Sequence, residues 1–337
     1  MKKKDLFLAV AGIFLVLGLI LSSGNRNKPY EKIGYALDTQ IRIVIYDKGA
    51  DSKVADEAFN EIKRLEKLLS NFYKESETQI LNREKEFTVS DELSDIIKTG
   101  KTVSEKTVGA YDITVYPLTK MWHFKNEYVP QKEEIESALL KIGYNNIITD
   151  GNKVTLLNGA EIDVSSIAKG YIADKTIEFL KSKGVENALV DAGGNIKVIG
   201  SPYKDKSEGF LIGIQDPKKD TGIPLGELKI HNVSVVTSGI YERNFEKDGK
   251  TYHHIIDTKT GYPSESDVVS VSVISKDSAV ADAYATAIVV LGSEKGIKLI
   301  ESDPELECII IRKDNTIVLS EGIKEFELTN KEYKLVK

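Results

Sequence analysis

The stretch "NALVDAGGNIKVIG", Asn187–Gly200, reads as a strand, a tight turn at Gly193-Gly194 and a second strand. So short a turn joins antiparallel neighbours. Upstream, Ser165 or Ser166 caps a predicted helix that runs through Leu180 and ends at Gly184. Downstream, "GFLIGIQD" (Gly209–Asp216), "LKIHNVSVVT" (Leu228–Thr237) and "VVSVSVIS" (Val268–Ser275) each read as a strand. "RNFEKDGKTYHHIID" (Arg243–Asp257) adds strand structure with an Asp-Gly turn. Helices follow at Asp277–Val290 and Ser293–Ser302, and a last hairpin turns near Lys313-Asp314-Asn315. Toward the N-terminus, "NIITDGNKVTLL" turns at Asp150-Gly151. Asp51–Leu69 carries Val54, Ala58, Ile62, Leu65 and Leu69 on one helical stripe. Leu93–Val108 and Glu133–Ile142 are further helices, and "TQIRIVIYD" alternates as a strand. Helices and hairpins are segregated instead of strictly alternating, so the expected class is α+β, not a doubly wound sheet. There is no internal repeat and no low-complexity linker after Lys32.

A length of 337 residues allows one large domain or two modest ones. The 41% hydrophobic and 29% charged residues are those of an ordinary globular chain with a sizeable core. A formal charge of −6 and scattered basic residues argue against a nucleic-acid partner, because phosphate contacts need a basic surface. The single cysteine, Cys308 in "LECIIIR", is a small core residue that can form no intramolecular disulfide and no cysteine-based metal site. "MKKK" precedes an uninterrupted apolar run, Leu6–Leu21, with the small residues Ser22–Gly24 after it. Residues 1–24 therefore read as a signal peptide or membrane anchor, with the globular part outside the cytoplasmic membrane. No cysteine follows the run to carry a lipid. Residues 25–32 read as a polar tether and 33–337 as the working domain.

Several stretches concentrate chemistry. "GAYDITVYPLTKMWHF", Gly109–Phe124, sets an acid beside an aromatic and holds the only tryptophan. In "IDVSSIAKGYIAD", Ile162–Asp174, a strand ending at Asp163 leads through small residues into a helix. Free N–H groups at such a start suit an anion, and Lys169 in the first turn can reach a phosphate. The stretch matches neither the P-loop nor the dinucleotide glycine pattern. "DAYAT", Asp282–Thr286, puts a carboxylate and a hydroxyl on one helical face. Both are hard oxygen ligands suited to Mg²⁺, and Mn²⁺ would accept them too. The alternative is that Thr286 bonds back to its own helix. Ser238 in "TSG" lacks the G-x-S-x-G context of a serine nucleophile. In "YHHIIDTKTG", Tyr252–Gly261, a strand points His253 and His254 to opposite faces, one to a core or cleft and the other to water.

Seven of these segments stand in order: "SNFYKESETQILN", "GAYDITVYPL", "IDVSSIAKGY", Gly193-Gly194, "TSGIYER", "YHHIID" and "ADAYATA". Together they resemble the FAD:protein FMN transferase family, also called ApbE, over essentially everything after the leader. The resemblance implies a single α+β, T-fold-like domain with antiparallel sheets and packed helices. It implies a reaction in which FAD is split at its pyrophosphate and FMN is attached to a threonine of a target flavoprotein, releasing AMP. The implied partner is an FMN-accepting domain or subunit of a membrane electron-transfer system, met at the outer face of the cytoplasmic membrane. The implied Mg²⁺ ligands are Asp282, Thr286 and a backbone carbonyl near Ser166. Implied FAD contacts are Leu37, Phe72, Ala110, Tyr111, Asp112, Asp163, Lys169, Ser238 and Ile255. His254 matches the family histidine as the catalytic group, leaving His253 as an outward partner without an essential role.

The chain departs from the family pattern at four points. Leu37-Asp38-Thr39 stands for Met-Gly-Thr, Phe72 for tyrosine, Thr258 for proline after "HIID", and Ile240 for a common acid. None touches the implied metal group. Two rival readings use the same residues: a Mg²⁺-dependent FAD pyrophosphatase with water as acceptor, and an exported FAD-binding protein. Binding alone needs no base, so His254 with Asp282 and Thr286 argues against the carrier.

Overall fold

The computed structural model describes residues 29–50, 52–202 and 208–336. The apolar leader, its Ser22–Gly24 stretch and tether residues 25–28 lie outside them. The described chain opens with the hairpin β1 (Tyr30–Ala36) and β2 (Thr39–Ile45), so Tyr30–Lys32, read as tether, belong to a strand. Then come α1 (Ser52–Leu69), α2 (Glu77–Glu84), β3 (Glu86–Thr88), α3 (Asp91–Lys106), α4 (Tyr116–Thr119) and α5 (Lys132–Leu139). The middle holds β4 (Ile147–Asp150), β5 (Lys153–Leu156), α6 (Ser165–Ser182), β6 (Ala188–Ala192), β7 (Asn195–Ile199), β8 (Phe210–Gln215), β9 (Pro224–Ile230) and β10 (Ser234–Gly239). The last part holds β11 (Asn244–Lys247), β12 (Lys250–His253), β13 (Val268–Ser275), α7 (Ser278–Leu291), α8 (Ser293–Glu301), β14 (Leu306–Arg312), β15 (Thr316–Leu319), β16 (Phe326–Leu328) and β17 (Lys334–Val336).

A nine-stranded sheet, ordered β1-β2-β6-β7-β10-β13-β14-β15-β17, organises the molecule. Its neighbours are antiparallel apart from β15 and β17. Successive side chains alternate between its faces. Ile41, Ile43 and Ile45 of β2 join a core with α1, α3, α6 and α7, whereas Val44 joins a second core. That second core lies against the small sheet β16-β9-β8. Strands covered on both faces lose the alternating pattern, which is why β6 and β7 are buried at every position. Cys308 sits fully buried in the first core.

Two readings need correction. "LKIHNVSVVT" is not one strand: Asn232 takes a left-handed φ of 52°. The chain breaks there into β9 and β10, which enter different sheets. Asn232 Oδ1 also accepts the Gly200 N–H at 2.8 Å, a contact invisible to periodicity. Neither Ser165 nor Ser166 caps α6; the cap position is Val164, without a side-chain bond. Asp163 Oδ1 instead accepts the Ser165 N–H at 3.0 Å. "SNFYKESETQILN" also hides α2, whose start is capped by Ser76 Oγ on the Gln79 N–H.

Candidate active site

The helix face of the large sheet ends in one cavity of about 840 Å³, and every candidate site residue lines it. The β1–β2 turn brings Leu37, the loop after α1 brings Phe72, and the loop after α3 brings Ala110, Tyr111 and Asp112. The start of α6 brings Asp163, Ser166 and Lys169; the end of β10 brings Ser238. His254 and Ile255 follow β12, and Asp282 and Thr286 project from α7.

α6 and α7 pack closely beside the site. A Cβ on Gly170 would stand 2.1 Å from the Ser278 carbonyl oxygen, so only glycine fits. The Gly170 N–H donates to Asp282 Oδ2 at 2.9 Å. Burial pushes the Asp282 carboxyl up to about 6, against the pull of Lys169 and that N–H. Beside it lies Asn195, whose buried amide completes no hydrogen bond, and the buried Tyr111 hydroxyl is likewise without a partner. Thr286 Oγ1 reaches back to the Asp282 carbonyl at a long 3.4 Å, one helical turn away. Among the described residues no cluster of three or more His, Cys, Asp or Glu side chains could hold a metal. The set at hand is a different one: one buried carboxylate, a hydroxyl and the Ser166 region, all hard oxygens on the cavity wall. A buried carboxylate that accepts one backbone N–H, with the Asn195 amide beside it, fits a hard cation.

The two histidines are both held, in different ways. His253 is buried, 4% exposed. Its Nε2 lies 2.8 Å from the Ser264 carbonyl and its Nδ1 accepts the Ile255 N–H at 3.3 Å, so Nε2 carries the proton. It is therefore not the outward partner. β12 ends at this residue and the chain turns back toward Ser264, so the strand rule no longer sends the side chain to water. His254 lines the cavity, with its backbone N–H donating to the Arg243 carbonyl at 3.1 Å and its ring Nδ1 buried without a partner. Burial, then the charges of Arg243, His253 and Lys169, push its imidazole down to about 3, so it is neutral at physiological pH.

Two of the acids are already engaged by the protein. Asp112 Oδ1 accepts the Thr114 N–H at 2.8 Å and its hydroxyl at 2.7 Å, while Oδ2 accepts the Tyr144 N–H at 2.8 Å. Asp163 Oδ2 accepts the Thr119 hydroxyl at 2.7 Å, and its other oxygen holds the start of α6. Both shape the cavity wall first. Phe72, 86% exposed, stands at the mouth. Leu37 and Asp38 form a two-residue turn with φ of 56° and 57°. Asp38 therefore takes the backbone form that the family glycine would favour. Its carboxylate accepts from Arg243 Nη2 and from the Tyr35 hydroxyl, each at 3.1 Å.

Sequence reading missed other wall residues, including Glu242 and Arg243 in "TSGIYER", and Lys63 and Glu66 on α1. It also missed the clamps behind the wall. Asn82 binds both the N–H and the carbonyl of Ile162, at 2.6 and 2.9 Å, and Asn71 shares that carbonyl at 2.9 Å. The buried partners are 80 or more residues away, so only the asparagines of "SNFYKESETQILN" hinted at them.

A neutral imidazole, an ammonium group and a buried carboxylate around one deep cavity are the working parts of a group-transfer enzyme. The chain belongs to the ApbE family, whose model matches residues 37–310. It is similar to the FAD:protein FMN transferase of Klebsiella pneumoniae, 33% identical over 302 residues, or 87% of this chain and 92% of that protein. The FAD:protein FMN transferase of Treponema pallidum is 31% identical over 347 residues, 96% of each chain. Among solved structures, the ApbE protein of Thermotoga maritima superposes with a TM-score of 0.80 at 34% identity, covering 87% of this chain and 97% of that one. The flavin transferase ApbE of Vibrio cholerae gives 0.79 at 28% identity, covering 88% and 98%.

Proposed function

We propose that this chain splits FAD and attaches FMN to a threonine of an acceptor protein, releasing AMP. The observation that carries the reading is the meeting of His254, Lys169 and Asp282 at one cavity. The acceptor hydroxyl attacks the phosphorus on the FMN side of the pyrophosphate. An O–P bond forms, the bond to the AMP phosphate breaks, and the hydroxyl proton passes to the neutral His254. Lys169 offsets the charge of the phosphates. Phe72 stacks on a ring of the dinucleotide at the mouth. Ala110, Tyr111, Ser238, Ile255 and Leu37 line the space for FAD, and Asp112 and Asp163 hold the loops that shape it. Asp282, Thr286 and the Ser166 carbonyl would hold Mg²⁺, which supplies stabilisation of charge on the phosphate oxygens.

The leader supports export, by signal peptide or anchor, so the acceptor belongs to a membrane electron-transfer system facing the outer side of the cytoplasmic membrane. The test uses the chain from Asn25 onward, mixed with FAD, Mg²⁺ and a purified FMN-accepting domain. Flavin fluorescence on the denatured acceptor, together with AMP, is the expected result. AMP and free FMN with a dark acceptor would point to water as the acceptor. Intact FAD would leave only a flavin-binding protein.

A further inference from the structure

α7 carries Asp282 and Thr286, but its position is set one turn earlier, at its N-terminus. Asp174 Oδ2, on α6, accepts the Ser278 N–H at 2.7 Å and the Ala279 N–H at 3.1 Å. Asp277 Oδ1 takes the next N–H, that of Val280, at 2.9 Å. The other oxygen of Asp174 pairs with Lys197 Nζ at 2.8 Å, the two side chains being 17% and 9% exposed. Lys197 stands on β7, two residues past Asn195, and its ammonium also donates to the Lys276 carbonyl just before α7. Asp174 lies one turn beyond Gly170 on the same face of α6. Gly170 sets how deeply the two helices approach, and Asp174 sets where α7 begins along α6. Three elements that meet at Asp282 are thus joined by one largely buried ion pair: α6, α7 and β7.

A buried ion pair is a poor device for stability alone, because apolar residues of similar volume often do as well. This one binds two backbone N–H groups and one carbonyl of the segment it faces, which is a means of fixing register. We infer that Asp174 and Lys197 are positioning residues for the oxygen set of Asp282 and Thr286, holding α7 in the register that binds a divalent cation. The inference rests on the metal reading given under Proposed function.

The test is Mn²⁺ binding to the full-length chain without FAD, followed by electron paramagnetic resonance, for Lys197→Met, Asp174→Asn and Asp277→Ala. Supporting partners of metal ligands typically change affinity by about 10–100-fold. Lys197→Met and Asp174→Asn should weaken Mn²⁺ binding by roughly 10-fold or more, and Lys197→Arg should restore most of it. Asp277→Ala, which removes a cap but not the register, should lower the melting temperature and leave Mn²⁺ affinity unchanged. At saturating metal the two positioning variants should regain most of kcat, the loss appearing in the metal concentration needed. Mn²⁺ affinity within twofold of the parent chain in Lys197→Met, with a lowered melting temperature, would reduce the pair to a fold-stabilising role. If Asp174→Asn fails to fold, Lys197→Met decides alone. A parent chain that binds no Mn²⁺ would overturn the metal reading and this inference with it; a binding parent and unaffected variants would overturn only this inference.

Discussion

His254 is uncharged at physiological pH. Burial and neighbouring cations hold its imidazole down to about 3 in the free protein, so no acid limb near neutrality arises from it in kcat/KM. Phosphates of a bound FAD would offset Arg243 and Lys169, two of the groups that depress it, and so raise the basicity of the imidazole in the complex. The acid limb of kcat should therefore lie at higher pH than that of kcat/KM; coincident limbs would remove His254 from the proton transfer. His254→Ala should cut FMN transfer by about 10²–10⁴-fold while FAD binding, followed by flavin fluorescence, persists. Asp282 poses the opposite problem, a carboxylate that burial resists ionising. Asp282→Asn should make the metal-free chain more stable to urea and erase the stabilisation expected of the parent chain on adding Mg²⁺, if the proposed site holds it. An equal Mg²⁺ effect in both would place the cation elsewhere. At this scale the gathering of His254, Lys169, Asp282 and Thr286 at one cavity was legible, because each sits in a short, chemically odd motif. The tasks of Asp112, Asp163 and His253 were not, since their partners are the backbone or side chains of other loops.

Among the elements, the contact of α6 with α7 is the least forgiving. Gly170→Ala puts a methyl group against the backbone of Ser278 and Ala279, not against a side chain that can swing aside. The variant should lose about 1–3 kcal/mol of stability and most of its divalent-cation affinity, read by urea unfolding and Mn²⁺ titration. A variant that unfolds like the parent chain and binds Mn²⁺ equally would show that the helices part freely. Periodicity located these helices, and the glycine turns located the hairpins, because both signals are local. It failed at the boundary of β9 and β10, where a single left-handed Asn232 redirects the chain. It failed again at α2, eight residues with a mostly polar surface and a single capping serine.

Across the whole molecule, the cavity draws on the helix-covered face of the large sheet. None of its described lining residues belongs to the second core. Antiparallel α+β architecture could be read from the hairpins, but not the assembly of strands from distant parts of the chain into one sheet, which long-range packing decides. Burial also sets how the fold responds to pH. Asp174, Asp191 and Asp282 are each pushed up to about 6. Between the usual carboxylate range near 4 and this value, the folded chain keeps protons that the unfolded chain has released. These groups therefore lower stability as pH rises through that window. Asp191, outside the cavity wall, isolates the effect. Asp191→Asn should be more stable than the parent chain by roughly 1–3 kcal/mol at pH 7 and nearly equal to it at pH 4. Equal stability at both pH values would mean that the carboxylate is solvated as well as in water.

The first strand has a geographical consequence. β1 is the edge of the large sheet, seven residues long, and its far end turns at Leu37-Asp38 on the cavity mouth. At about 3.4 Å per residue, the chain enters the sheet only about 20–24 Å from that mouth. If the leader is retained as the proposed anchor, the eight residues Ser22–Pro29 add at most about 28 Å. The opening then travels on a leash of roughly 50 Å from the bilayer surface, whichever way the body turns. A threonine carried higher than that on its membrane partner would be out of reach, so the length of this leash, and not only the shape of the pocket, would select what is flavinylated.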